Sequence, residues 1–159
     1  MSISLTRIDD RLIHGQVVMT WIQHVQCTQI KIVDDKTAND EFMCKLLTSI
    51  APRGIALEIL TIKKAIPLYP QWESSKENVM IIVRTPLTLA EMVKSGIFFK
   101  SINVGGIAIG PGRKQFHKNI ALTPEEKLFL YEQLKNGADI FYQMTASERR
   151  ESIAEKMFK

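Results

Sequence analysis

The sequence has no apolar run approaching the roughly 18–20 residues of a membrane-spanning helix, so no helical span is expected. Only two cysteines, Cys27 and Cys44, occur in 159 residues. Neither has a partner at metal-ligand spacing, which argues for reduced thiols rather than a disulfide framework or a thiolate-bound metal. Charge of one sign is not concentrated either. The 21 basic and 17 acidic side chains leave a net +4, too mild for a nucleic-acid footprint, and no basic patch is interleaved with aromatics. No G-x-G-x-x-G follows the first predicted strand, and "GPGRKQFHK" (Gly110 to Lys118) lacks the Gly-Lys-Ser/Thr of a P-loop. The opening residues "MSISLTRIDD" carry no apolar signal-peptide core, so a cytoplasmic location is expected.

What is present fits one folded domain over residues 1–159. Apolar residues make up 45% and charged residues 24% of the chain, close to the averages of globular domains, and the length suits a single core. No internal repeat, low-complexity tract or linker interrupts it. Short β-rich runs alternate with longer helical ones: "ISLTRI", "TQIKIV", "ALEILT", "NVMIIVRT", "FKSINV" and "ADIFYQM" read as strands. Between them, "GQVVMTWIQHVQ" places Val17, Val18, Trp21, Ile22 and Val25 at helical spacing, and "NDEFMCKLLTSI" follows suit. A short helix cut by Pro67 is expected after the third strand. A helix opens with capping-box spacing at Thr88 to Glu91, and another has Thr123 as cap, Pro124 at the first turn and Gly137 as terminator. "TASERRESIAEKMF" also begins with capping-box spacing, Thr145 to Glu148, and reads as a last helix. This alternation predicts an α/β fold: a mainly parallel open sheet, helices on both faces, and the functional site at its carboxyl edge.

At that edge, after the first strand, stands "RIDDRLIHGQVV" (Arg7 to Val18). His14 falls where the first helix begins, beside backbone N–H groups that favour an anion. Gly15 leaves the approach open. Arg11 can clamp phosphate oxygens. Asp9 or Asp10 can hold one ring nitrogen of His14 and leave the other as a nucleophile. The arrangement suits a histidine that takes up a phosphoryl group, although an ordinary surface ion pair beside a capping histidine would show the same letters. His24, within a helix, and His117, in a basic loop, read as bystanders.

"RIDDRLIHGQVVMTW" closely resembles the active-site segment of the enzyme IIB proteins of the mannose/fructose/sorbose class of the bacterial phosphoenolpyruvate-dependent sugar phosphotransferase system. The resemblance continues through "IVDDKTANDEFMCKLL", "VRTPLTLAEMVKSGI", "INVGGI" and "GRKQFHKNIALTPEE", nearly the whole chain. It implies a phosphoryl carrier that receives its group from a IIA histidine and passes it to a sugar held by the membrane components IIC and IID. It places the phosphohistidine on His14, implies Nδ1 as the atom, and assigns Arg11, Asp9 and Asp10 to the same loop. No cofactor, metal or nucleic acid is expected; peripheral association with the permease and a possible homo-oligomer are.

Other candidates lie along the same edge. Gly15 and Gln16 open the first helix and Thr85 ends the fourth strand, so all three are candidate phosphate contacts. Asp34 and Asp35 either line the phosphoryl site or orient Arg11, or else cap the next helix. Gly105 and Gly106 allow close backbone approach or simply a tight turn. Arg113, Lys114 and Lys118 either dock an acidic IIA or IIC surface or, the expectation favoured, lie in a simple solvated loop. A rival reading is a non-catalytic receiver-like module phosphorylated on aspartate, suggested by Asp34 and Asp35; the last strand lacks the lysine this would need.

Overall fold

A computed structural model describes residues 2–159. Its centre is a seven-stranded sheet of order β3-β2-β4-β1-β5-β8-β9. The strands are β1 (Ile3–Ile8), β2 (Gln29–Val33), β3 (Ala56–Leu60), β4 (Val79–Val83), β5 (Ser101–Val104), β8 (Asp139–Tyr142) and β9 (Glu151–Ser152). All pair in parallel except β9, which runs antiparallel to β8. A small antiparallel ribbon, β6 (Lys114–His117) with β7 (Ile120–Leu122), stands apart.

Helices cover both faces, as the alternating pattern predicts. On one face α1 (Gly15–Val25) and α3 (Glu41–Ile50) press Val18, Trp21, Ile22 and Leu47 onto Ile30, Ile32, Met80 and Ile82. On the other, α4 (Ile62–Glu73), α5 (Pro86–Lys94) and α6 (Pro124–Lys135) bring Tyr69, Trp72, Leu89, Met92 and Phe129 onto Ile81, Val83, Ile102 and Ile140. The β4 strand is buried along its whole length, "VMIIV", as a central parallel strand covered on both faces must be. Each of its aliphatic side chains contributes about 1.5–3 kcal/mol through burial. Because α1 and α5 leave adjacent strands for opposite faces, the carboxyl ends of β1 and β4 form an open edge between them.

Four local expectations change. Pro67 does not cut α4; Pro67 and Pro70 both sit inside a twelve-residue helix. Burial of Ala65, Tyr69 and Trp72 on the inward side outweighs the missing amide donors. The α5 helix begins one turn earlier than Thr88, with Thr85 as cap and Pro86 in the first turn. The last helix does not form. Gln143 Nε2 donates to the carbonyls of Ala146 (3.2 Å) and Glu148 (2.9 Å), the acceptors a first helical turn needs. The chain instead extends as β9, buries Ile153 and closes with a 3₁₀ turn, Glu155–Phe158. The basic stretch expected as a loop forms the β6–β7 ribbon, while the short α2 (Asp35–Ala38) precedes α3.

The entry to α6 is a full capping box. The Thr123 hydroxyl accepts from the Glu126 amide, and the Glu126 carboxylate accepts from the Thr123 amide. That buried carboxylate also accepts from Arg113 Nε and Nη2 (3.1 and 3.0 Å) and from the Thr85 hydroxyl (2.8 Å). Burial alone would raise its pKa, but the bonds from Arg113, Thr123 and Thr85 win and hold it below the ordinary glutamate value. A depressed folded-state pKa stabilises the fold above the unfolded pKa, near 4.5, and the contribution is lost as pH falls through the lowered value. Glu126→Gln is therefore expected to lower stability by about 2 kcal/mol at pH 7, because Arg113 loses its counter-charge. Urea unfolding of both proteins should show the gap narrowing as the pH drops below the ordinary glutamate range.

Candidate functional site

The loop from Asp9 to His14 leaves the carboxyl end of β1, and its two apolar residues pin it down. Leu12 and Ile13 are 3% and 4% exposed and pack in the α1–α3 core, while Arg11 between them and solvent is exposed. The Leu12 amide donates to the Asp9 carbonyl at 3.0 Å, closing a turn. Leu12 takes φ of +56°, a left-handed conformation that costs a branched residue roughly 1–2 kcal/mol and persists only where neighbours enforce it. Gly15 follows with φ of +46° and open space where a Cβ would stand, so α1 starts directly after His14.

Asp9 is the centre of the arrangement. It is fully buried, and its Oδ2 lies 2.9 Å from His14 Nε2 and 2.8 Å from Arg7 Nη2. Its Oδ1 accepts from the Arg11 amide at 3.0 Å. A buried carboxylate needs a counter-charge, and Arg7, 2% exposed in β1, supplies it. Arg7 is held in turn: Nη1 donates to Asn103 Oδ1 (2.5 Å) and the Gln143 carbonyl (3.1 Å), and Nη2 to the Met144 carbonyl (2.9 Å). Its guanidinium carbon lies 5.6 Å from the Trp21 ring centroid, and the Trp21 indole donates to the same Met144 carbonyl. Burial lowers the Arg7 pKa, with Asp9 opposing the shift.

His14 has 18% of its side chain exposed. With Nε2 donating to Asp9, Nδ1 is the nitrogen that keeps a lone pair. His14 itself occupies the N-cap position of α1 but makes no side-chain capping bond, and no acidic residue sits in the first turn. The other five helices are each capped by an Asp or Thr side chain. The α1 amides, with exposed Gly15 and Gln16 in the first turn, thus remain available to an anion.

The remaining candidates fall into place around this centre. Asp10 does not reach the imidazole. Its Oδ2 accepts from the Ala108 amide (2.7 Å), its amide donates to the Gly106 carbonyl (2.9 Å), and its carbonyl accepts from Arg84 (3.0 Å). Thr85 is turned to Glu126 and to the Leu87 amide, so its hydroxyl is engaged away from the loop. Asp34 caps α2 and pairs with Arg84, while Asp35 accepts from the Ile62 amide at 2.8 Å. Both acidic residues thus have structural employment. A Cβ on Gly105 would stand 2.5 Å from Arg7 Nη2 and 3.0 Å from Asp9 Oδ2, so glycine there is required by close approach. One on Gly106 would meet the Met144 side chain at 3.4 Å. Sequence reasoning passed over Arg7, Asn103, Gln143, Met144 and Trp21. A signal existed for Arg7 alone: an arginine inside an apolar strand destined for the sheet centre must find an acid.

The matches to known proteins agree with this geometry. Residues 3–159 match the family model described as "PTS system sorbose subfamily IIB component". The sorbose-specific EIIB component of Klebsiella pneumoniae is 34% identical over 157 residues, covering 99% of this chain and 96% of that protein. The crystal structure of the IIBSor domain from the same organism superposes with a TM-score of 0.88 at 34% identity, over 99% of this chain and 96% of that one. The mannose-specific EIIAB component of Escherichia coli K12 is 37% identical over 127 residues, which span 80% of this chain and 39% of that longer protein. Fold and site thus define a phosphotransferase-system component. The chain belongs to the sorbose-subfamily IIB family of the sugar phosphotransferase system. Among the described residues, no helix is long and apolar enough to cross a membrane.

Gly105→Ala tests the buried centre. The added methyl group must push Arg7 off Asp9, and the variant is expected to lose about 1–3 kcal/mol in urea unfolding. Gly110→Ala, where nothing stands within 4 Å, is expected to lose far less.

Proposed function

We propose that this chain carries a phosphoryl group on Nδ1 of His14, accepting it from the phosphohistidine of a IIA partner and delivering it to a sugar presented by the IIC and IID membrane components. The observation that carries the reading is the 2.9 Å contact between Asp9 Oδ2 and His14 Nε2, which leaves Nδ1 as the nucleophile. In acceptance, the Nδ1 lone pair attacks phosphorus and the bond to the donor's imidazole nitrogen breaks. In delivery, a sugar hydroxyl attacks phosphorus and gives up its proton to a base beside the sugar or to water, the Nδ1–P bond breaks, and its electron pair returns to His14. Asp9 stabilises the positive charge that builds on the ring when Nδ1 is phosphorylated. Arg11 and the open α1 amides meet the charge on the equatorial oxygens. Gln16 and Gly15 stand in that first turn. The protein so described is a protein-phosphohistidine–sugar phosphotransferase acting at the cytoplasmic face of its permease.

The aspartate-phosphorylated receiver reading finds no support, since Asp34 is held by Thr37 and Arg84 and Asp35 by the Ile62 amide. The EIIAB relative, whose name joins the two components, favours a IIA donor.

The test supplies phosphoenolpyruvate, the two general carrier proteins and a cognate IIA, and follows label onto the chain. Acid-labile label is expected on the wild type and none on His14→Ala, which should still unfold cooperatively although Asp9 has lost one hydrogen-bond partner; wild-type labelling of His14→Ala would refute the reading. Arg11→Ala is expected to slow transfer about 10- to 1,000-fold while titration calorimetry shows IIA binding within about threefold. Asp9→Asn is expected to slow transfer at least as much, since the ring loses its orienting charge.

A further inference from the structure

We propose that Arg84 is a positioning residue for phosphoryl transfer: it clamps the Asp10 carbonyl to the end of β2 and so holds Arg11 and His14 in reactive alignment. The inference rests on the carrier reading above and adds to it a residue that touches neither the imidazole nor the transferred group.

Arg84 follows β4 directly. Its Nε donates to Asp34 Oδ2 at 3.3 Å, its Nη2 to the Thr37 hydroxyl at 2.9 Å, and its Nη1 to the Asp10 carbonyl at 3.0 Å. Two of these bonds are to a rigid base. Asp34 is buried and already accepts from the Thr37 amide (3.0 Å) and the Thr37 hydroxyl (2.5 Å), so α2, the end of β2 and the guanidinium form one unit. The third bond reaches across to the loop. A planar guanidinium makes such a three-point link, whereas an ammonium makes it poorly.

The loop needs this grip because of Leu12. Its left-handed backbone is held only by what surrounds it. Asp10, two residues earlier, is fixed at its amide by Gly106 and at its carboxylate by Ala108. Both of those contacts come from the segment after β5. Arg84 ties Asp10 to the opposite side, the β2–β4 side of the edge. Without it Asp10 is anchored from one flank only; the β4 side of the turn is then held by the Asp9 amide on the Val83 carbonyl (2.9 Å) and by the burial of Leu12 and Ile13, and the segment between, with Arg11 on it, gains freedom that displaces Arg11 and His14 from alignment. The Arg7–Asp9 pair lies beneath and does not depend on Arg84, so the fold survives while the reactive geometry is lost.

The experiment uses the full chain with Arg84→Ala and Arg84→Lys. With phosphorylated IIA as donor, the rate at saturating donor is expected to fall about 10- to 100-fold in Arg84→Ala, with the half-saturating donor concentration within twofold of wild type. Arg84→Lys, which can reach only one side of the clamp, should fall between. A wild-type saturating rate, or a loss confined to half-saturation, would overturn the proposal. Backbone amide NMR reads the clamp independently of chemistry: the Arg11, Leu12 and His14 signals should shift or broaden in Arg84→Ala while those of β4 stay in place. Unchanged loop signals would equally overturn it. A wild-type chain that accepts no phosphoryl group would instead refute the carrier reading and leave the NMR result to judge the clamp.

Discussion

The buried pair of Arg7 and Asp9 is the constraint on which the rest of this structure depends. It lies at the end of the central strand β1, where water is excluded and neither charge is tolerable alone. Satisfying Arg7 recruits Asn103 from β5 and the carbonyls of Gln143 and Met144 after β8. Satisfying Asp9 recruits the Arg11 amide and the His14 ring. The same bonds that neutralise a buried ion pair therefore align one imidazole, fix which of its nitrogens bears the proton, and tie β1 to its neighbour β5 and to the segment that follows β8. Gly105 belongs to the same constraint, because no side chain fits against the guanidinium.

Around this centre the loop is fastened through the amides of Asp9, Asp10, Arg11 and Leu12. Asp10 engages its amide, carbonyl and carboxylate with three separate partners. Leu12 and Ile13 are sunk in the core. Arg11 and one ring nitrogen of His14 are what remain to meet a partner. The contrast between capped helices elsewhere and the bare start of α1 follows the same division: where a side chain could have satisfied the first-turn amides, the sequence has histidine and glycine instead.

Much of the architecture is legible in the sequence because strand and helix periods differ so sharply. The continuous apolar run "VMIIV" marks a central strand, and the spacing of Val18, Trp21 and Ile22 marks an inward helix face. The loop around His14 is also legible, since its residue types crowd together. What could not be read are contacts across long separations: Arg7 meets Asn103 and Met144 at sequence distances of 96 and 137 residues. The choice between Asp9 and Asp10 was hidden too, because only the turn closed by Leu12 sends one carboxylate inward and the other to Ala108. Local signals failed where tertiary contacts competed with them. Gln143 captures the carbonyls of the expected last helix, and Tyr69 and Trp72 keep α4 intact through two prolines.

The recessed ring of His14 has a consequence for traffic through the pathway. Less than a fifth of its side chain is uncovered, too little for two large bodies to contact the ring together. In the carrier role proposed above, a donor and an acceptor that both approach this ring would have to visit in turn, which makes short-lived encounters an advantage on this surface.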